Sequence, residues 1–267
     1  MDLVSTGNTG AATNVILHAG KERKPKDINI VARVECIGRR KSQVLVWLHT
    51  FTWEGHGNKF VGITKASWCK LFFDLNPHDS IIDSFINLGS LAPNKCSFSG
   101  EEGLLQEVVQ PLERFTCMGY LKKENPSTPL SENNTDGPFT LPELRWKLYS
   151  SKNKEAENLP PCKATLSPLI QRTNYVSRVY KSYKQTHPDL PDLTESGWTR
   201  EESSNTLSPV YCLMPPAPKA ILELVQCGCK GNCSKNICTC FKNKVPCTSL
   251  CQCHDECTNI RRVDHGS

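Results

Sequence analysis

Residues 227–259 read CGCKGNCSKNICTCFKNKVPCTSLCQCHDECTN and hold nine of the chain's fifteen cysteines. These are Cys227, Cys229, Cys233, Cys238, Cys240, Cys247, Cys251, Cys253 and Cys257, spaced C-x-C-x3-C-x4-C-x-C-x6-C-x3-C-x-C-x3-C. Three C-x-C pairs alternate with three single cysteines. The segment has too few apolar side chains to build a core, so its folding free energy must come largely from bound metal. Two cysteines one residue apart place their sulfurs close together but do not easily close a disulfide on each other. They can share one cation or bridge two.

Zn²⁺ takes four ligands in a tetrahedron at about 2.3 Å from sulfur. Nine cysteines do not divide into four-cysteine sites without a remainder. They do satisfy about three zincs if three sulfurs bridge and six are terminal, the arithmetic of a trinuclear cluster. The alternatives are two four-cysteine sites with a spare thiol, or a site of three cysteines and one histidine using His254 or His265.

Outside this run the chain predicts a mainly α protein, an irregular helical region followed by a small loop-rich zinc-cluster domain. Its 267 residues suffice for one or two domains, and 16 glycines and 18 prolines point to many loops. No apolar run approaches the ~20 residues of a membrane-spanning helix. Met1 to Gly20 lacks the basic-then-apolar pattern of a secretory signal. The expected compartment is therefore reducing, nucleus or cytoplasm, with the protein not secreted, and the odd cysteine count fits a disulfide framework poorly. A net charge of +5 permits an anionic partner without demanding one.

The organisation reads as follows. Residues 1–27 form a disordered basic arm carrying Lys21, Arg23, Lys24 and Lys26. Residues 28–121 are helical. Asn76-Pro77-His78-Asp79 supplies a helix start, with Asn76 as the capping side chain, and Gly89 a stop. Ser99-Gly100-Glu101-Glu102 is a capping box, and Leu104, Val108, Leu112 and Phe115 follow at helical spacing, with Pro111 set to kink or split the pattern. Val44–Leu48 reads as helix, and no strand signal is sustained.

Residues 122–139 read as a flexible linker and 140–225 as a helical and extended wrap region. In the latter, Thr140–Glu143 starts a short helix bearing Leu144 and Leu148. A longer one runs from about Thr165 to Tyr183 with Leu166, Leu169, Ile170, Val176, Tyr180 and Tyr183 on one side, stopped by His187-Pro188. A short helix over Ile221–Val225 leads into the zinc-cluster domain, 226–260. Trp47, Trp53, Trp68 and Trp146 are expected in the core. Cys36, Cys69, Cys96, Cys117, Cys162 and Cys212 are expected as isolated buried thiols.

The cysteine run resembles a tesmin/TSO1-type CXC domain. The likeness rests on the nine cysteines, the middle C-x-C followed by six residues and a cysteine, and the closing Cys257-Thr258-Asn259. It implies zinc binding, about three ions per chain, and contact with DNA. Family members that read the minor groove place a tyrosine just before the second C-x-C, where this chain has Ile237, and tend to carry two modules. With the metal counted, the module is close to neutral: six basic and three acidic residues from 227 to 267 offset a metal–thiolate core of about −3. The candidate DNA-binding positions are Lys235, Ile237, Lys242 and Lys244.

The chain as a whole also resembles a group of uncharacterised, transposon-derived animal proteins. The matching stretches are Leu48-His49-Thr50-Phe51-Thr52, GITKASW at 62–68, Leu141-Pro142-Glu143-Leu144-Arg145-Trp146, Arg172-Thr173-Asn174-Tyr175, Gly197-Trp198 and Leu213–Pro218. That likeness implies that 28–121 is the remnant of a PIN- or flap-endonuclease-like domain. The aspartate such a domain needs falls on Gly55, beside Glu54, and no converging set of carboxylates is present for a metal-dependent nuclease. No nucleophile elbow, phosphate loop or dinucleotide loop occurs.

The expectation is therefore a non-enzymatic, zinc-binding nuclear protein whose CXC module contacts DNA or chromatin, with no membrane and no small-molecule substrate. Two alternatives remain: a structural or protein-interaction zinc module, and a degenerate nuclease fragment.

Overall fold

A computed structural model describes residues 15–19, 26–54, 58–93, 96, 105–125, 127, 140–152, 158–201, 204–212, 226–231, 233–248, 251–253 and 257–259. The chain is mainly α, as the sequence predicts. Its helices are α1 (Ile30–Ile37), α2 (Arg39–Gln43), α3 (Leu45–Thr52), α4 (Lys65–Asp74), α5 (Ser80–Asn87), α6 (Gln110–Glu124), α7 (Leu141–Lys152), α8 (Lys163–Lys181) and α9 (Thr239–Lys242).

Helix ends follow local chemistry. Thr64 caps α4 by accepting the Ser67 N–H at 3.1 Å. Helix α5 starts three residues later than expected. Asp79 is its cap, accepting from the Ile81 N–H at 2.9 Å, while Asn76 closes a turn on the His78 N–H. The Asn-Pro-His-Asp stretch thus holds two competing short polar side chains, and the one nearest the apolar run wins. Pro111 does not split the following pattern but falls where its helix type changes, Val109 keeping helical backbone angles. A π-type turn at Leu105–Val109 ends where α6 begins, with the proline in the first turn, where no intrahelical donor is lost. Helix α7 takes its first-turn partner from elsewhere: the buried carboxylate of Glu113 accepts the Leu141 N–H at 2.8 Å. Burial raises the Glu113 pKa, opposed by that hydrogen bond and by Lys163.

One continuous core joins α3 to α8. Phe51, Phe72, Phe85, Phe115 and Trp68 are fully buried, with Phe51–Phe85, Phe72–Phe85 and Phe85–Phe115 meeting edge to face. Helix α8 brings a polar face inward as well. Arg172, Thr173, Asn174 and Ser177 are buried, whereas Tyr180 and Tyr183 stand about half exposed, so the expected apolar side of this helix is corrected over its last three turns. The helix ends at Lys181, ahead of His187-Pro188.

The polar face stitches the loop after α5. Gly89 adopts φ +85°, and a Cβ there would lie 2.8 Å from the Arg178 backbone nitrogen. Asn174 accepts the Gly89 N–H at 2.7 Å and donates to the Leu91 carbonyl at 2.9 Å. Asn174→Ala orphans that buried N–H and is expected to cost about 1–3 kcal/mol, read as a lower urea midpoint with an unchanged slope.

Short strands correct the expectation of none. β1 (Ile16–Ala19) pairs antiparallel with β2 (Lys26–Asn29), β3 (Trp53–Glu54) with β4 (Asn58–Lys59), and β5 (Trp198–Arg200) with β6 (Leu207–Pro209). The first pair replaces disorder within the basic arm for the residues it covers. The third pair forms the wrap and is pinned by Arg172, which donates to the Gly197 carbonyl at 3.0 Å, and by the rings of Trp198 and Tyr175. Trp68 is core, but Trp146 is half exposed. Of the isolated cysteines only Cys96 and Cys117 are buried; Cys36 is exposed, and Cys69, Cys162 and Cys212 are half-buried. The Trp53 side chain, the Ser99–Glu102 box, most of the 122–139 linker and the Ile221–Val225 helix lie outside the described residues. Among the described residues no helix is long and apolar enough to cross a membrane.

Candidate metal centre

The nine cysteines of the C-terminal run converge into a second cluster that shares no residue with the helical core. Cys227, Cys233, Cys238, Cys240, Cys247, Cys251 and Cys253 are buried, with Cys229 and Cys257 half-buried at the edge. The chain reaches this state by loops rather than regular elements. Gly231, at φ +124°, turns the backbone inside the gap between Cys229 and Cys233. Helix α9 is one turn long and is capped by a cysteine, the Cys238 Sγ accepting from the Phe241 N–H at 3.5 Å. The module's ends are tied by the Gln252 N–H to the Cys227 carbonyl (3.0 Å), the Cys247 N–H to the Asn259 carbonyl (2.7 Å), and the Asn259 amide to the Val245 carbonyl (2.9 Å).

Sulfur spacing is the deciding observation. A tetrahedral ion about 2.3 Å from each sulfur sets an S···S edge of about 3.8 Å. Sγ separations are 3.8 Å for Cys227–Cys233 and Cys227–Cys247, 3.9 Å for Cys227–Cys253 and Cys238–Cys247, and 3.5 Å for Cys240–Cys251. Three sets of four sulfurs each lie within 4.8 Å of one another: 227/238/240/247, 227/229/233/238 and 227/233/247/253. The cluster is therefore suited to hold metal ions. No protein-family model, curated protein or solved structure matches the chain.

Backbone and amide N–H groups aim at four of the sulfurs. Besides the Phe241 N–H on Cys238, the Thr248 N–H points at the Cys251 Sγ (3.4 Å), the Asn259 N–H at Cys257 (3.3 Å) and the Asn259 amide at Cys247 (3.5 Å). Such donors orient ligating sulfurs and offset their charge. Without a cation, nine ionised thiols cannot coexist. Burial, joined by neighbouring thiols, pushes Cys240 and Cys253 up to about 12 and raises Cys233 and Cys247 too. Cys238 moves the other way. Burial opposes its ionisation, but the Phe241 and Cys240 N–H groups and the Cys227 and Cys233 thiols bring it down to about 6. A bound cation reverses the upward shifts, because it makes the thiolate the favoured form at every ligand.

The four candidate DNA-binding residues are all exposed, Ile237 by 86%. Lys242 and Lys244 line one open groove of about 580 Å³ together with Asn236, Phe241 and Asn259. Lys235 and Ile237 are not part of that groove. Sequence reasoning missed Asn236, Phe241 and Asn259 as groove residues. The signal for Asn259 was present in the closing Cys257-Thr258-Asn259, and its amide donates to the Val245 carbonyl and the Cys247 sulfur. His254, His265, Gly55 and His56 lie outside the described residues.

Proposed function

We propose that the module is a zinc–thiolate cluster of the CXC type, with about three Zn²⁺ held by nine thiolates, and that the chain is a nuclear protein whose module makes weak contacts with DNA or chromatin. The observation carrying this reading is the sharing pattern of the sulfur quartets. Cys233, Cys238 and Cys247 each belong to two of the three quartets, as bridging sulfurs must, and Cys227 to all three. A sulfur cannot bind three tetrahedral ions in a ring of this stoichiometry, so we assign the bridges to the first three and give Cys227 to one site. On this assignment Cys227 and Cys229 complete one site, Cys240 and Cys251 (sulfurs 3.5 Å apart) the second, and Cys253 and Cys257 the third. The Cys257 thiol lies against Cys233, Cys247 and Cys253, which supports the last assignment. The helical body is a scaffold on this reading, and we assign it no catalytic step.

Native mass spectrometry of the zinc-loaded chain is expected to show about three zincs per chain; two or none would sink the trinuclear cluster. Duplex DNA titrated at two salt concentrations is expected to bind weakly, with affinity falling as salt rises. Lys242→Glu with Lys244→Glu is expected to lower that affinity about tenfold or more and to flatten the salt slope.

A protein-interaction module is the second reading, and one observation favours it: Ile237 is a large apolar side chain exposed by 86%, with Phe241 and Val245 also exposed. DNA binding that is absent or insensitive to salt would select it.

A further inference from the structure

We propose that Cys162 and Cys212 form a reversible thiol–disulfide pair oxidised by hydrogen peroxide, a redox site separate from the cysteine module. Their sulfurs lie 3.7 Å apart although 50 residues separate them in sequence. Both are half-buried, so a small oxidant can reach them. The elements that carry them are held together by Arg172. Cys162 is the residue that begins α8, and Cys212 follows β6. Arg172 of α8 donates to the Gly197 carbonyl (3.0 Å) and the Val210 carbonyl (3.4 Å), which fixes the β5–β6 hairpin against that helix. The thiols therefore meet because the fold brings them there.

The surroundings distinguish the two roles. The Thr165 hydroxyl sits 3.2 Å from the Cys162 sulfur. Burial works against a Cys162 thiolate, but the Thr165 hydroxyl and N–H, the Cys212 thiol and the Arg145 charge outweigh it and lower the pKa. The start of a long helix adds to the same preference. Cys96 is the contrast: burial pushes its thiol up to about 12, leaving it inert.

Cys162 is accordingly the attacking thiolate. It takes one oxygen of peroxide, the O–O bond breaks, and hydroxide leaves, giving a sulfenic acid. The Cys212 thiol then attacks that sulfur, the S–O bond breaks, and the Cys212 proton leaves with the departing oxygen as water. Hydroxide from the first step recovers the proton that Cys162 had released, so two thiols lose two electrons and peroxide becomes two waters. Glutathione or another thiol reverses the bridge by exchange.

The test uses the full chain as purified with its metal. Substoichiometric peroxide, alkylation of the remaining thiols and peptide mapping are expected to give a Cys162–Cys212 cross-linked peptide before any zinc is released to a chromogenic chelator. With Cys212→Ser the sulfenic acid should persist and be trapped at Cys162 by dimedone. In the unmodified protein, Cys162 should react with iodoacetamide at pH 7 about tenfold faster than the exposed Cys36; this readout needs no variant and does not depend on how the variant folds. Zinc release preceding the cross-link, or Cys162 reacting no faster than Cys36, overturns the proposal. The iodoacetamide comparison is independent of how many zincs the module holds.

Discussion

Stripping metal from the protein is expected to unfold residues 226–259 while the helical body keeps its melting transition. Among its described residues the module has no apolar core of its own: the buried cluster consists of cysteines, and the one helix described is a single turn long. A segment this short cannot bury enough surface to offset chain entropy. Structural zinc contributes about 10–16 kcal/mol of apparent binding free energy per site in comparable small domains, far more than the handful of backbone hydrogen bonds that tie Cys227 to Gln252 and Cys247 to Asn259. A strong chelator should therefore collapse the amide dispersion of the module, and added zinc should restore it.

Substitutions should grade in the same order. Cys233→Ser, Cys238→Ser or Cys247→Ser removes a sulfur shared between two proposed sites and is expected to lose more than one zinc. Cys229→Ser removes a half-buried, unshared sulfur and is expected to weaken one site only. Dispersed module resonances in excess chelator would show that the metal is not what folds it. Acid acts in the same direction. As pH falls, protons compete with metal for thiolates, so zinc is released on acidification and retained as pH rises.

The converging cysteines were legible because metal binding, the chemistry the sequence suggests, fixes residue type and spacing together. Nothing but cysteine at short gaps satisfies a tetrahedral sulfur site, so the residues announce themselves. What the spacing alone withheld was which sulfurs meet, since that depends on how loops bring Cys227 against Cys247 and Cys253, 20 and 26 residues away. The groove beside the module was half legible. Lys242 and Lys244 stand out as charges, but Asn236 and Phe241 join them only through the turn of α9.

Elements of the body were read by periodicity, and periodicity failed where polar groups are buried. Helix α8 hides Arg172 and Asn174 because carbonyls after α5 and around Gly197 need donors, whereas the buried Ser177 hydroxyl has no partner among the described residues. No local pattern encodes that demand. The same holds for Glu113, a charged residue inside α6 whose partner is the start of α7. Strand pairs of two to four residues carry too little alternation to register, and Cys162 and Cys212 look isolated in sequence because 50 residues lie between them.

Trp68→Ala is expected to cost the helical body about 3–5 kcal/mol, a large share of the 5–15 kcal/mol typical of a domain. Trp68 is fully buried, with ring centroids 5.1 Å from both Phe60 and Phe115. Its indole lies directly on the backbone of α6 at Gly119, where an added Cβ would come within 2.2 Å of the ring. A glycine in mid-helix costs about 1 kcal/mol against alanine, and here the tryptophan accounts for it.

The indole N–H finds no hydrogen-bond partner among the described residues. Trp68→Phe, which removes that unsatisfied donor along with one ring, should therefore cost well under half of Trp68→Ala. Gly119→Val alone should destabilise by about 1–3 kcal/mol or more through overpacking. Added to Trp68→Ala it should instead fill part of the cavity, so the double variant is more stable than the sum of the singles predicts, by at least about 1 kcal/mol. Strict additivity in urea melts would mean that the ring does not rest on Gly119. Because the cysteine cluster shares no residue with this core, zinc content should be the same in all four proteins, and a loss of metal in Trp68→Ala would tie the module's folding to the body's.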